Sequence, residues 1–165
     1  KEISSLYTLA DVINAGCRDG ELDVRGVSHR GYFATITDFK SYHDANMDLI
    51  DYKTATDLFH DNWPIYTRTN NSCPTHYFDT ANVSNSVISN GSMIEGTVEN
   101  SIVGRGCTIK KGAVIKNCVV LADCTIGENV HIENLVVDKH AKITHAKEII
   151  CPADEPGYIK RNDTL

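Results

Sequence analysis

The 165-residue chain lacks several features that would place it quickly. No apolar run approaches the 18 or more residues of a membrane span, so no span is expected. Lys1-Glu2-Ile3-Ser4-Ser5 is amphipathic, not the apolar core of a secretion signal. The absent initiator Met suggests a fragment or a processed end. The six cysteines, at 17, 73, 107, 118, 124 and 151, include no C-x-x-C pair and no zinc-spaced cluster, and read as free thiols in a reducing cytoplasm. Nor is there a basic stripe for nucleic acid. Residues 1–80 carry 7 basic and 12 acidic groups, 81–149 carry 7 and 7, and the remainder 2 and 3.

What is present is a repeat. Val83-Ser84-Asn85-Ser86-Val87-Ile88 recurs as Val98-Glu99-Asn100-Ser101-Ile102-Val103, as Ile115-Lys116-Asn117-Cys118-Val119-Val120, and as Ile132-Glu133-Asn134-Leu135-Val136-Val137. The copies are offset by 15, 17 and 17 residues. An isoleucine follows each phrase six residues on, at Ile94, Ile109, Ile126 and Ile143, and a third apolar position follows at Val98, Ile115, Ile132 and Ile149. An apolar residue every five or six positions is the signature of a hexapeptide β-helix. The spacing predicts a mainly β fold, a parallel β-helix of about four coils over residues 82–150. Coils about 4.8 Å apart would give a prism roughly 20 Å tall. Val83, Ile94, Val98, Ile109, Ile115, Ile126, Ile132 and Ile143 are expected inside, where branched side chains suit a buried pleat. Asn85, Asn100, Asn117 and Asn134 share one register and should form a side-chain ladder at one edge. Corners fall at Asn90-Gly91, Gly104-Arg105-Gly106, Gly112, Asp123 and Asn129.

Upstream, residues 3–15 read as a helix stopped by Gly16. Residues 22–27 and 31–36 read as strands. Thr37 or Asp38 caps a helix carrying Phe39, Tyr42, Leu49 and Ile50, and a short helix spans Thr54–Phe59. Pro64 ends it, and Trp63 reads as a packing anchor between domains. Residues 1–66 resemble the end of a larger α/β domain, 67–81 a linker, and 151–165 a tail that cannot continue the stack, with Tyr158-Ile159 folding back.

The run Gly31-Tyr32-Phe33-Ala34-Thr35-Ile36-Thr37-Asp38, then Ala45-Asn46-Met47-Asp48-Leu49, resembles the G-Y-W-x-D-[IV]-G-T and E-A-N-M-D-L-L phrases of sugar-nucleotide pyrophosphorylases. Trp63-Pro64-Ile65-Tyr66-Thr67 is similar to the W-P-I-Y-T segment of ADP-glucose pyrophosphorylases (glucose-1-phosphate adenylyltransferases). The resemblance covers residues 31–149. It implies a nucleotidyltransferase end followed by a left-handed β-helix. In that family the catalytic domain makes ADP-glucose and pyrophosphate from ATP and glucose 1-phosphate with Mg²⁺, and the Asp of D-[IV]-G-T holds the metal. Here that position is Thr35, and a hydroxyl cannot replace a carboxylate on Mg²⁺. The departure resembles the regulatory, non-catalytic D-type subunit of bacterial glycogen synthesis. It implies no catalytic, cofactor or metal residue in this stretch. The implied partner is a catalytic homologue in a hetero-oligomer, a tetramer, or a second copy of the chain, in the cytoplasm. A phosphorylated effector would meet Arg68, Arg105, Lys110, Lys111, Lys160 and Arg161, although solvated corner residues are the plainer reading of these. A catalytic pyrophosphorylase with an altered site stays open. So does a hexapeptide acyltransferase or scaffold, with His131, His140 or His145 as base.

Overall fold

The computed structural model describes residues 8–60, 62, 64–66 and 71–165. The anchor expected at Trp63 and the basic candidate Arg68 lie outside the described residues, as does the start of the helix expected from residue 3. The chain divides into two compact units, Lys1–Gly31 and Tyr32–Leu165.

In the first unit, α1 (Leu9–Arg18) begins at Thr8, whose hydroxyl accepts from the Asp11 amide while the Asp11 carboxylate accepts from the Thr8 amide. The helix runs through Gly16 instead of stopping there. Gly16 is a packing glycine, since a Cβ would sit 2.5 Å from Leu22 Cδ1. The amides of Glu21 and Leu22 return to the Gly16 carbonyl at 2.9 and 3.1 Å, and Gly20 makes the turn at φ +72°. The strands expected at 22–27 and 31–36 do not form. Leu22, Val24, Val27, Phe33 and Ile36 are exposed. Alternation supplies a face, but a strand also needs a neighbouring strand, and neither segment has one among the described residues.

In the second unit, Asp38 caps α2 (Phe39–Met47), accepting from the Ser41 amide at 2.7 Å, while Ser41 Oγ accepts from the Asp38 amide. A 3₁₀ turn over Asp48–Ile50 leads to Asp51, which caps α3 (Tyr52–Leu58) by accepting from the Thr54 amide. This helix starts two residues earlier than expected because Asp51 is the better cap. Tyr32 Oη donates to Asp48 Oδ2 at 3.0 Å and ties the preceding extended run to the end of α2.

The repeat is a parallel β-helix. Its coils carry β1 (His76–Tyr77), β2 (Asn82–Ser84) and β3 (Val87–Ile88); β4 (Met93–Ile94), β5 (Thr97–Glu99) and β6 (Ile102–Val103); β7 (Thr108–Ile109), β8 (Val114–Lys116) and β9 (Val119–Val120); β10 (Thr125–Ile126), β11 (His131–Glu133) and β12 (Leu135–Val137); and β13 (Lys142–Ile143), β14 (Glu148–Ile150) and β15 (Gly157–Ile159). The first, second and third strands of each coil stack into three five-stranded parallel sheets, A, B and C. Two stretches contribute more than expected. The presumed linker contains β1, and the tail contains β15, which pairs with β12. The corner at 151–156 re-aims the chain so that Tyr158-Ile159 does fold back.

Register follows the repeat. Val83, Val98, Ile115, Ile132 and Ile149 form one column, and Tyr77, Ile94, Ile109, Ile126 and Ile143 another. Seven of the eight expected core residues are fully buried, each contributing about 1.5–3 kcal/mol. Val83 is only half-buried, because β2 is the last strand of its sheet and no further coil among the described residues covers it. The asparagine column also forms. Asn85, Asn100, Asn117 and Asn134 hold φ of 41°, 45°, 50° and 56°, left-handed corners that Asn tolerates. Asn85 Nδ2 donates to Asn100 Oδ1 at 2.8 Å, Asn100 Nδ2 to Asn117 Oδ1 at 2.7 Å, and Asn134 Nδ2 to the Cys151 carbonyl at 2.7 Å. Cys107, Cys118 and Cys124 are buried free thiols. Burial pushes Cys118 up to about 12, leaving it inert.

Two predictions follow from the register. Ile126→Asp should abolish the cooperative thermal transition of the β-helix, since an unpaired buried charge costs several kcal/mol; an unchanged melting temperature would contradict the register. At Asn117, Gly keeps the left-handed corner and loses only the ladder bond, whereas Ala loses both. Denaturant titration should place Asn117→Ala at least about 1 kcal/mol below Asn117→Gly, and equal stabilities would contradict the corner account.

Candidate functional site

Three places were expected to carry function: the family's metal position, the basic corners, and the histidines of the repeat. A fourth, the outer face of sheet C, emerges from packing.

Thr35 is exposed in the irregular run before α2. The nearest carboxylate in sequence, Asp38, is committed to its cap. Hydrogen bonds from the Ser41 amide and hydroxyl hold it below the usual carboxylate range. A hydroxyl and a capping carboxylate do not fit Mg²⁺, which takes charged oxygens and near-ideal octahedral geometry. No cluster of three or more His, Cys, Asp or Glu suited to a metal exists among the described residues.

The basic residues are split by the fold. Arg105, Lys160 and Arg161 lie on the corner between sheets C and A, and Lys110 and Lys111 on the corner between A and B. On the first corner the Asp123 amide donates to the Arg105 carbonyl, His140 to Ala122 and Asn162 to Lys139, so Arg105, Lys139 and Arg161 are in one column. Lys139 was legible: it lies two 17-residue periods beyond Arg105. Asp138 sits among these cations. The Lys139 amide and the Tyr158 hydroxyl, at 2.7 and 2.8 Å, hold it below the usual range. Lys111 instead lines a shallow groove with Thr80, Glu95, Gly112, Glu128 and Asn129. The groove lies where the 15-residue repeat omits two residues from its corner at Glu95-Gly96. Two carboxylates there oppose one lysine, which disfavours an anion.

The histidines are dispersed. His131 Nδ1 lies 3.5 Å from Glu148 on sheet B, His140 Nδ1 lies 3.6 Å from Asp123 on the C–A corner, and His145 is on the A–B corner. No two of them face one reacting atom.

Sheet C differs from the other two on its outside. The outward column of sheet A is His76, Met93, Thr108, Thr125 and Lys142. On sheet B it includes Thr97, Val114, His131 and Glu148, with Glu99 and Lys116 paired at 3.4 Å. On sheet C the column is Val87, Ile102, Val119, Val136 and Tyr158, apolar throughout. Val119 and Val136 are 0% and 1% exposed although they point away from the β-helix core, whereas Val87 is 42% exposed. The cover is α2. It packs on β9. Its Phe39 ring meets Tyr158, two strands further, edge-on at 5.6 Å. His43, 6% exposed, places Nε2 2.9 Å from the Asn117 carbonyl. Phe39, Tyr42, His43 and Asn46 follow the i, i+3, i+4, i+7 spacing of one helix face. The signal in the sequence was the doubled apolar pair at the end of each repeat phrase. On a strand, adjacent residues point to opposite faces, so Val119-Val120 and Val136-Val137 require both faces covered.

The cap on α2 has a pH signature. The folded pKa of Asp38 is lowered, so its contribution is complete above the unfolded Asp value of about 3.9 and is lost as pH falls through the lower folded value. Hydrogen exchange of α2 at acid pH should show this fraying in the wild type, and Asp38→Ser should lack the titration. An unaltered pH profile in Asp38→Ser would contradict the assignment.

Comparison with known proteins agrees with this architecture. Residues 74–155 match the GlmU-like C-terminal hexapeptide family. The chain is 38% identical over 133 residues to the glycogen biosynthesis protein GlgD of Bacillus subtilis (strain 168), covering 81% of this chain and 39% of that protein. It is 42% identical over 86 residues to the glucose-1-phosphate adenylyltransferase of Geobacillus stearothermophilus, covering 52% and 22%. With the enzyme of that name from Bacillus mycoides (strain KBAB4) it shares 36% over 107 residues, covering 65% and 28%. The chain thus spans well under half the length of these relatives. Over the part it spans, the chain is similar to glucose-1-phosphate adenylyltransferases and GlgD, and its β-helix matches the hexapeptide family.

Proposed function

We propose that this chain is the C-terminal region of a regulatory subunit of ADP-glucose pyrophosphorylase in bacterial glycogen synthesis. It acts in the cytoplasm, where it supports assembly and biases a catalytic homologue that makes ADP-glucose with Mg²⁺. The observation that carries the reading is Thr35. An exposed hydroxyl stands where the resembling enzymes place a metal carboxylate, and the neighbouring Asp38 is engaged as a helix cap. The surfaces that make contact are kept. Ala45-Asn46-Met47-Asp48-Leu49 builds the end of α2 and the following turn, and the face of α2 is seated on sheet C.

The part of the subunit spanned here contributes frame and contacts. Metal and charge clamps supply most of what phosphoryl-type transfer asks of a protein, and the residues at the metal position do not supply them. The effect on the partner is a coupling free energy, typically about 1–3 kcal/mol. A phosphorylated effector fits the column of Arg105, Lys139 and Arg161, with Lys160 beside it on the C–A corner, better than the groove at Lys111, where Glu95 and Glu128 repel it.

The test uses pyrophosphorolysis of ADP-glucose by the full-length chain, by its catalytic homologue and by the mixture. The reading expects little turnover by the chain alone and a several-fold change in the mixture. Substantial turnover by the chain alone refutes the regulatory role, and a mixture indistinguishable from the partner removes its positive content.

A further inference from the structure

The stripe beneath α2 is periodic, and a periodic surface does not by itself choose where its cover sits. Ile102, Val119 and Val136 hold the same place in successive coils, which lie about 4.8 Å apart. Apolar burial is non-directional and proportional to area. Seats displaced by one coil along the stripe would therefore bury similar surface. Something directional has to select one of them.

We infer that His43 is the positioning residue that sets the register of α2 on sheet C, through one hydrogen bond to the Asn117 carbonyl. Nε2 faces a carbonyl oxygen, which only accepts, so Nε2 carries the proton and donates across 2.9 Å. The acceptor is held from other directions. The Asn117 amide donates to the Glu99 carbonyl, and its side-chain Oδ1 accepts from Asn100. The next carbonyl along the stripe, that of Asn134, already accepts the Gly157 amide at 2.9 Å, so a second donor there would have to share it. A helix moved one coil toward β15 would bring His43 to that shared acceptor, and would push Phe39 beyond Tyr158. A helix moved one coil the other way would separate Phe39 from Tyr158, the ring that ends the aliphatic series. Because the imidazole is almost wholly buried, a helix displaced by part of a coil leaves a donor facing neither water nor a carbonyl, which the apolar contacts do not offset.

Resting on the regulatory reading above, the same bond gives the route of control. It makes the position of α2, and of the Ala45–Leu49 segment behind it, depend on one corner of the β-helix.

The experiment compares His43→Leu and His43→Gln in the full-length chain. Leu keeps the bulk without a donor, and Gln keeps an N–H. Hydrogen exchange is read segment by segment, beside the activity of the mixture with the catalytic homologue. In His43→Leu the α2 amides should exchange about tenfold faster, with strands β4 to β13 unchanged, and His43→Gln should restore most of the protection. Wild-type protection in His43→Leu overturns the register role. A Gln variant as unprotected as Leu overturns the donor assignment, and loss of protection throughout the β-helix makes His43 a general stability residue. The activity arm separates the two ideas. A wild-type mixture without effect sinks the regulatory reading and with it the route of control, while the exchange data still decide the register. A wild-type effect retained in full by His43→Leu overturns the route of control alone.

Discussion

Every coil of this β-helix must hand its strand amides to the carbonyls of a neighbouring coil, in parallel and in register. Most of the other features depend on that constraint. Two-residue strands are too short to stand alone, so each is stable only as one rung of a column. Once Ile126 pairs with Ile109 and Ile143, the remaining residues of the coil have no choice of face. The corners inherit the same repetition: Asn85, Asn100, Asn117 and Asn134 bend left-handed at one edge, and Gly91, Gly106, Asp123, His140 and Asn162 do so at another. An insertion or deletion is absorbed only at a corner, as at Glu95-Gly96, where the two omitted residues leave a groove and the strands on either side stay paired.

A stack of this kind is sealed inside, so its dealings with other parts of the protein go through its outer faces, corners and ends. Sheets A and B present threonine, charge and imidazole. Sheet C presents an aliphatic column ending in Tyr158, and α2 covers it. The helix α2 is therefore built onto one side of the β-helix. The basic column of Arg105, Lys139 and Arg161 runs along the corner where sheet C ends. Capping chemistry at Asp38 and Asp51 sets where the helices start, and apolar area together with one buried imidazole sets where α2 lies.

The core and the asparagine ladder were legible because a strict period converts sequence spacing directly into spatial neighbours. The caps at Asp38 and Asp51 were legible or nearly so because capping is local. Non-local consequences were less visible. The alternation at Leu22 and Val24 looks like a strand, but pairing is decided by a partner that the local pattern does not contain. β1 and β15 depart from the repeat phrase, and the neighbouring coil, not their own residues, recruits them. The cover on sheet C was written in the pair Val119-Val120, yet identifying α2 as that cover takes the tertiary contact of His43 with a carbonyl 74 residues away. The basic candidates are divided between two corners for the converse reason. Charge and proximity to glycine corners made them look alike, and only the coil register sends Lys110 and Lys111 to a different corner from Arg105 and Arg161.

The central claim is that one outer face of the β-helix is built to be covered and that α2 covers it. Hydroxyl-radical labelling of the full-length chain, read residue by residue by mass spectrometry, tests it most directly. The outward Val119 and Val136 should be as protected as the inward Val120 and Val137, with Met93 on sheet A and Val87 at the end of sheet C readily labelled. Labelling of Val119 and Val136 at the level of Val87 would contradict the account.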